Sequence, residues 1–429
     1  MPLSSPSIRS AVVLSCAGAP DGDLNVVRAL GRKGIPVYVV SEYAAPPAAL
    51  SRYCRELLRV PGFTKAPEAT VAGLTALAMR LGHRPVLFPT ADPDLQMVTA
   101  WRSQLEDHFD IPIARPELVA ALTDKLRFAE FAGRHQFPVP TTRSLAGVTD
   151  LEEFASGLDF PVIIKPADTL KWARPEVEQI VGSLKALVAS TREEFVSACR
   201  PLMPYADNLL VQRYIPGDDR CYYDLQAYLD RSGRVQAWFT ARKIRTSPPA
   251  VGAGCYVESV VVEELAALGL KCLRDIRFTG LVDMDFKRDP RSGEFFLIEM
   301  NPRTAAWNIL PTASGICFPC LAYADLTGSP IAPAGKQKEH LRYLHFKNDV
   351  RAFRQYRQAG QWSVASYLHS LIRTGLVFQL FAIDDLRPYW QALRTGAQAR
   401  LRRLYRKPAS LRRESRSVAE ASGQDVGRR

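Results

Sequence analysis

Two stretches constrain this chain more than any others: GLVDMDFKRD (280–289) and EFFLIEMN (294–301), separated by Pro290 to Gly293. Each is an apolar run interrupted by polar residues at alternate positions, and the proline–glycine interval between them predicts a hairpin. Successive side chains of a strand point to opposite faces, so Glu299, Asn301 and Arg303 share one side. Antiparallel pairing would bring Asp285 and Glu299 to within about 5 Å. Two such carboxylates repel unless a cation or a proton lies between them. A carboxylate with an amide oxygen suits a hard cation such as Mg²⁺, and Arg303 suits an anion beside it. A plainer reading is a strand end that drops polar residues into a solvated turn, with Pro302 as the stop. The rest of the chain decides between them.

At 429 residues the chain exceeds one simple core, and two or three domains are expected. AVVLS (11–15) and PVYVV (36–40) are valine-rich runs of the kind buried on both faces, and a polar turn and a helical pattern lie between them. With PVLFP (85–89) they predict a Rossmann-like scaffold over 1–115. Its glycines do not follow G-x-G-x-x-G, so a nucleotide is not expected there. The run after Arg9 imitates a signal peptide up to Ala17-Gly18-Ala19, but it is short and a first strand explains it better. No run of 18 apolar residues occurs, which argues against a membrane span.

The middle region, 116–330, reads as α+β. An amphipathic helix begins at Thr123 or Asp124 and ends near Gln136, before Pro138. Its first turn carries Lys125, a cation placed against the helix dipole, which hints at an anion there. PVIIKP (161–166) delivers Lys165 at a strand end, LVAS and LLVQ are further strands, and a turn at Pro216-Gly217 follows. CYYDLQAYLD and RVQAWFTARKIR form a hairpin through Arg231-Ser232-Gly233, and a helix runs through VEELAALGLKCLRDI. Residues 331–409 read as a helical extension, with one helix across Tyr367 to Phe381, and 410–429 as a disordered basic tail. The eight cysteines are scattered. One C-x-x-C, Cys317 and Cys320, lacks the second pair a zinc site needs, and a reducing cytoplasm is the expected home. The six histidines show no ligand spacing.

Taken in order, T-D-K (123–125), P-V-I-I-K-P (161–166), L-V-Q-R-Y-I-P-G (210–217), D-M-D-F (283–286) and I-E-M-N-P-R (298–303) resemble the ATP-grasp superfamily. The likeness covers about 110–330 and is nearest to the carboxylate–amine ligase-like branch, among relatives of biotin carboxylase and of the carbamoyl phosphate synthetase ATP-binding domain. It implies a Rossmann-like domain followed by a two-lobed ATP-grasp fold. It also implies ATP and Mg²⁺, with Mn²⁺ as a substitute. Lys125 and Lys165 match the lysines that touch the ATP phosphates. Gln212, Arg213 and Ile215 match the linker that reads adenine, and Asp219 the acid that takes the ribose hydroxyls. Asp285, Glu299 and Asn301 match the metal ligands, and Arg303 the arginine beside the γ-phosphate and the acyl phosphate. One departure stands out. The glycine-rich loop usual after the first strand lysine is absent, with Gly182 the only glycine of the segment, so Lys171, Trp172, Arg174 and Lys185 are candidates for a different lid.

The implied reaction activates a carboxylate as an acyl phosphate and joins it to an amine, with release of ADP and phosphate. The alternatives are a bicarbonate-activating enzyme like carbamoyl phosphate synthetase and a non-catalytic ATP-binding regulator. In ARKIRTSPPAVGAG, one of Arg242, Lys243 and Arg245 is expected to hold the acceptor carboxylate or the phosphate, because guanidinium forks fit carboxylates, with 247–254 bordering the substrate. The net charge of +12 sits mostly in the tail, where nine basic residues from Arg394 to Arg416 face only Glu414. A solvated basic end packed behind a helix is the plainer reading, and a peripheral contact with an anionic membrane is its rival. Nucleic acid is not expected, since only Tyr405 interleaves the basic cluster.

Overall fold

The computed structural model describes residues 8–16, 22–167, 175–181, 186–250, 252–330, 335–372 and 374–395. Two compact units are separated at Gln379 and Leu380. In the first, strands β1 (Ala11–Ser15), β2 (Val37–Ser41), β3 (Cys54–Arg59) and β4 (Val86–Phe88) form a parallel sheet in the order β3-β2-β1-β4. β1 and β2 are buried throughout, as their unbroken valine runs require. Helix α1 (Gly22–Gly31) is the crossover between them, and α2 (Asp92–Ala100) follows β4. Asp94 starts α2 by accepting from the amides of Thr90 and Ala91. The strand β3, CRELLR, is half-exposed and carries no apolar alternation that would betray it in the sequence.

Helix α3 (Lys125–Arg134) is capped by Asp124, whose carboxylate accepts from the amides of Leu126 and Arg127. Beyond it, β5 (Thr142–Ser144), β6 (Val162–Pro166), β7 (Leu187–Ala189) and β8 (Leu209–Arg213) make an antiparallel sheet in the order β5-β8-β6-β7. The largest sheet holds β9 (Tyr222–Leu229), β10 (Val235–Ser247), β11 (Ala253–Ser259), β12 (Gly280–Arg288), β13 (Phe295–Asn301), β14 (Arg342–Leu344) and β15 (Leu376–Phe378) in the order β13-β12-β9-β10-β11-β14-β15. Helices α4 (Glu263–Asp275), α5 (Phe318–Thr327), α6 (Phe346–Gln358) and α7 (Val364–Leu371) accompany it. One buried core runs from Val12 and Leu14 through Leu118 and Phe128 to Phe286 and Met300, so residue 115 marks a change of sheet and not a break in the core.

Three expectations need correction. Residues 331–409 are not purely helical, because β14 and β15 extend the large sheet from within them. The helix expected across 367–381 stops at Leu371. Gly375 then takes φ +82°, a left-handed turn natural to glycine, and the next residues become β15, parallel to β14. The C-x-x-C is closed as a disulfide between Cys317 and Cys320. Gly182, the lid candidates Lys171, Trp172, Arg174 and Lys185, and the tail beyond 395 lie outside the described residues.

Candidate active site

The site grows from strand register. Asp285 pairs with Glu299 and Asp283 with Asn301 across β12 and β13, as the alternation in the sequence predicts. On its other side β12 pairs with β9, which sets Asp285 against Asp224 and Asp283 against Gln226. One sheet face thus carries three short polar pairs, D-L-Q, D-M-D and E-M-N, side by side. Lys243 of β10 reaches onto the same face. Its Nζ lies 2.5 Å from Asp285 Oδ1 and 3.3 Å from Asp224 Oδ1, and the residue is only 6% exposed.

Burial sets the electrostatics. It pushes the Asp224 carboxyl well above the ordinary range against the pull of Lys243, and it pushes Asp283 up as well, helped by the Asp285 charge. Burial also opposes ionisation of Asp285, but the Lys243 ammonium holds it below its usual value. Glu299 is raised by burial and by Asp285. Apart from the Lys243 ion pair to Asp224 Oδ1, no hydrogen bond satisfies either oxygen of Asp224 or Oδ1 of Asp283 among the described residues. A face with this surplus of oxygen donors fits a hard divalent cation. Among the described residues no three acidic, histidine or cysteine side chains form a complete cage. The donor set therefore suits an ion that shares its coordination with a phosphate, as Mg²⁺ does.

The second lobe brings cations to this face. Lys165, on β6, donates to Gln212 Oε1 at 3.0 Å, and Gln212 Nε2 donates to Thr142 Oγ1 at 2.8 Å. Lys125 donates to the Pro166 carbonyl at 3.3 Å. Burial and the neighbouring Lys125 lower the Lys165 ammonium to about 8, while Glu299 pulls the other way. The two lysines and the carboxylates therefore feel one another's charge. Arg303 donates to Asp92 Oδ1 at 2.6 Å, which ties the end of β13 to the start of α2, and a second guanidinium nitrogen is 3.5 Å from Asn301 Oδ1.

Not every residue singled out in the sequence joins this cluster. Arg245 is fully buried and forms a two-pronged pair with Asp349 of α6 at 2.6 and 3.0 Å, inside a cage of Tyr256, Trp362 and Tyr367. A register shift between Lys243 and Arg245 sends the two cations to different surroundings. Arg242 pairs with Glu258 at 3.0 Å. Asp219 is buried and accepts from Thr246 N, Thr246 Oγ1, Ala250 N and Tyr356 Oη, so it pins the loop after β10. Burial raises its carboxyl. Ile215 is buried, and Arg213 is exposed over the Phe296 ring. Sequence reasoning passed over Asp224, Gln226 and Lys287, which is buried against Tyr214 and Tyr222. The signal was available for the first two: D-L-Q repeats the spacing of D-M-D and E-M-N.

No family model matches the chain. D-aspartate ligase of Enterococcus faecium (strain Aus0004) is 27% identical over 292 residues, which is 65% of this chain and 68% of the ligase. The carbamoyl phosphate synthase large chain of Methanothermobacter thermautotrophicus is 25% identical over 248 residues, 54% of this chain but only 21% of the synthase. Among solved structures, the ADP complex of N5-carboxyaminoimidazole ribonucleotide synthetase superposes with a TM-score of 0.59 at 14% identity, over 79% of this chain and 82% of that one. At such identity the structural likeness is one of fold.

Proposed function

We propose that the chain is an ATP-grasp protein of the carboxylate–amine ligase-like kind, which activates a substrate carboxylate with ATP and joins it to an amine, releasing ADP and phosphate. The observation that carries this reading is the opposition of Asp285 and Glu299 within reach of the Lys165 charge. Phosphoryl transfer needs little covalent help from a protein, and clamps of cations and metal-binding acids supply most of its catalysis. In this reading Lys125 and Lys165 neutralise the phosphates. Gln212 faces the adenine with Arg213 and Ile215 beside it. Asp219 shapes the ribose side by holding the 246–250 loop. Asp285, Glu299 and Asn301 hold Mg²⁺, for which Mn²⁺ substitutes. When bound, that ion balances the charge that builds on the transferring phosphoryl group. Arg303 then stabilises the acyl phosphate that the amine attacks, and Lys243 sets the acceptor carboxylate beside it.

The D-aspartate ligase relative favours an amino acid as one of the two substrates. The carbamoyl phosphate synthase relative favours a second reading, activation of bicarbonate. Release of ADP and phosphate on addition of a carboxylate and an amine together, with a product mass equal to their sum less water, supports the ligase. Release with bicarbonate alone supports the second reading. Nucleotide binding without turnover under any of these conditions leaves only the regulator. We further read residues 1–115, 116–330, 331–409 and 410–429 as scaffold, catalytic body, extension and basic tail. The protein would work in the cytoplasm, with the tail able to meet an anionic membrane.

A further inference from the structure

We propose that Cys317 and Cys320 form a thiol–disulfide exchange site, whose substrates are dithiol reductants and small disulfides of the glutathione kind. The proposed ligase chemistry makes no use of this C-F-P-C motif. The two sulfurs are bonded, with Cα atoms 5.2 Å apart, an ordinary separation for a disulfide. Cys317 is the cap residue of α5, and its carbonyl accepts from Leu321 N at 3.0 Å in the first helical turn. Cys317 thereby stands at the amino-terminal, positive end of the α5 dipole, a setting that favours a thiolate. The two cysteines differ in exposure. Cys317 is partly exposed, whereas Cys320 is 1% exposed and its sulfur lies 3.6 Å from the Ala29 carbonyl of α1. A reachable sulfur next to a shielded one is the division of labour that exchange requires, one to be attacked and one to resolve.

The step balances. An incoming thiolate attacks Cys317 Sγ, the Cys317–Cys320 bond breaks, and Cys320 leaves as a thiolate that takes up a proton. The second thiol of the reductant then displaces Cys317, so that two electrons and two protons pass from the dithiol to the protein and the reductant becomes a disulfide.

Full-length protein tests this without reference to ligase activity. The protein is equilibrated with oxidised glutathione or with dithiothreitol, free thiols are blocked with N-ethylmaleimide, and remaining disulfides are reduced and labelled with iodoacetamide. Trypsin releases residues 304–336, which contain Cys317 and Cys320 and no other cysteine. Both cysteines are expected to carry the second label after oxidised glutathione and the first after dithiothreitol. In Cys320→Ser, glutathione is expected to be trapped on Cys317. In Cys317→Ser, the buried Cys320 is expected to trap at least ten-fold less. First label on both cysteines after oxidised glutathione overturns the proposal, and so does equal trapping in the two variants.

Discussion

Glu299 stands opposite Asp285 and within the field of Lys125 and Lys165, so it feels both the proposed metal-binding and the proposed phosphate-binding halves of the site. Replacing it by Gln keeps the shape and removes one charge. Loss of a single outer partner of a metal site costs roughly 10–100-fold in affinity or activity, and loss of a ligand charge is expected to cost at least as much. Glu299→Gln should therefore unfold normally in urea yet need far more Mg²⁺ for ADP release. Wild-type turnover at low Mg²⁺ would remove Glu299 from the ligand set. Lys165 gives a pH prediction. Its ammonium sits at about 8 in place of the usual 10.5, lowered by burial and by Lys125. As pH rises through 8 the folded protein loses this proton and its pull on phosphate, so kcat/KM for ATP should fall. Lys165→Arg, which keeps its charge to far higher pH, should move that fall upward. The sign for stability is opposite: between 8 and 10.5 the unfolded chain binds the extra proton, so this group makes folding more favourable as pH rises. A kcat/KM profile flat from pH 7 to 9 would contradict the phosphate role.

The hairpin of β12 and β13 was legible because its alternation is long and its polar residues cluster at one end, which leaves little freedom of register. Lys165 was legible for a similar reason, as a cation that ends an apolar strand. Arg245 misled. In sequence it looks equivalent to Lys243, and only the register shift between them, together with Asp349 more than a hundred positions away, decides that it is structural. The strands β14 and β15, three residues each, are too short to show a period, and pairing with distant partners defines them. The same distant contact makes a prediction. Arg245 is 0% exposed and paired in two places with Asp349, and it also donates to Ser370 Oγ at 2.9 Å. Removing one partner of a buried pair strands the other charge and typically costs about 3–5 kcal/mol, whereas replacing both with apolar groups is often close to neutral. Arg245→Met should lower the urea-unfolding free energy by about that amount, and adding Asp349→Leu should recover most of it. A single-variant loss below about 1 kcal/mol would mean that the pair does not fasten α6 to the large sheet.

For the molecule as a whole, sequence pattern anticipated the order of a parallel sheet followed by antiparallel hairpins, since period and turn chemistry are local properties. It could not anticipate how the ends are used, because that depends on what the rest of the chain leaves exposed. Among the described residues no helix is long and apolar enough to cross a membrane. In the first unit, however, α7 exposes Val364 and Leu368 one turn apart, and Ile372 just beyond its end is 80% exposed. In the second unit, Trp390 is 55% exposed between the exposed Leu386 and Leu393. The sequence then continues from Arg394 to Arg416 with nine basic residues against Glu414. Basic residues near an anionic lipid surface gain about 1 kcal/mol each, and an exposed indole with aliphatic neighbours suits the interfacial layer. Full-length protein should therefore sediment with phosphatidylglycerol-containing vesicles at low salt and not with phosphatidylcholine vesicles. Truncation before Arg394 should abolish most of that binding. Salt separates the two contributions, because a purely electrostatic contact weakens once the screening length falls to about 3 Å near 1 M. Binding that survives 1 M salt and is lost in Trp390→Ala would assign the contact to the apolar residues. If full-length protein ignores anionic vesicles at low salt, the basic end is ordinary solvated charge and the membrane contact is refuted.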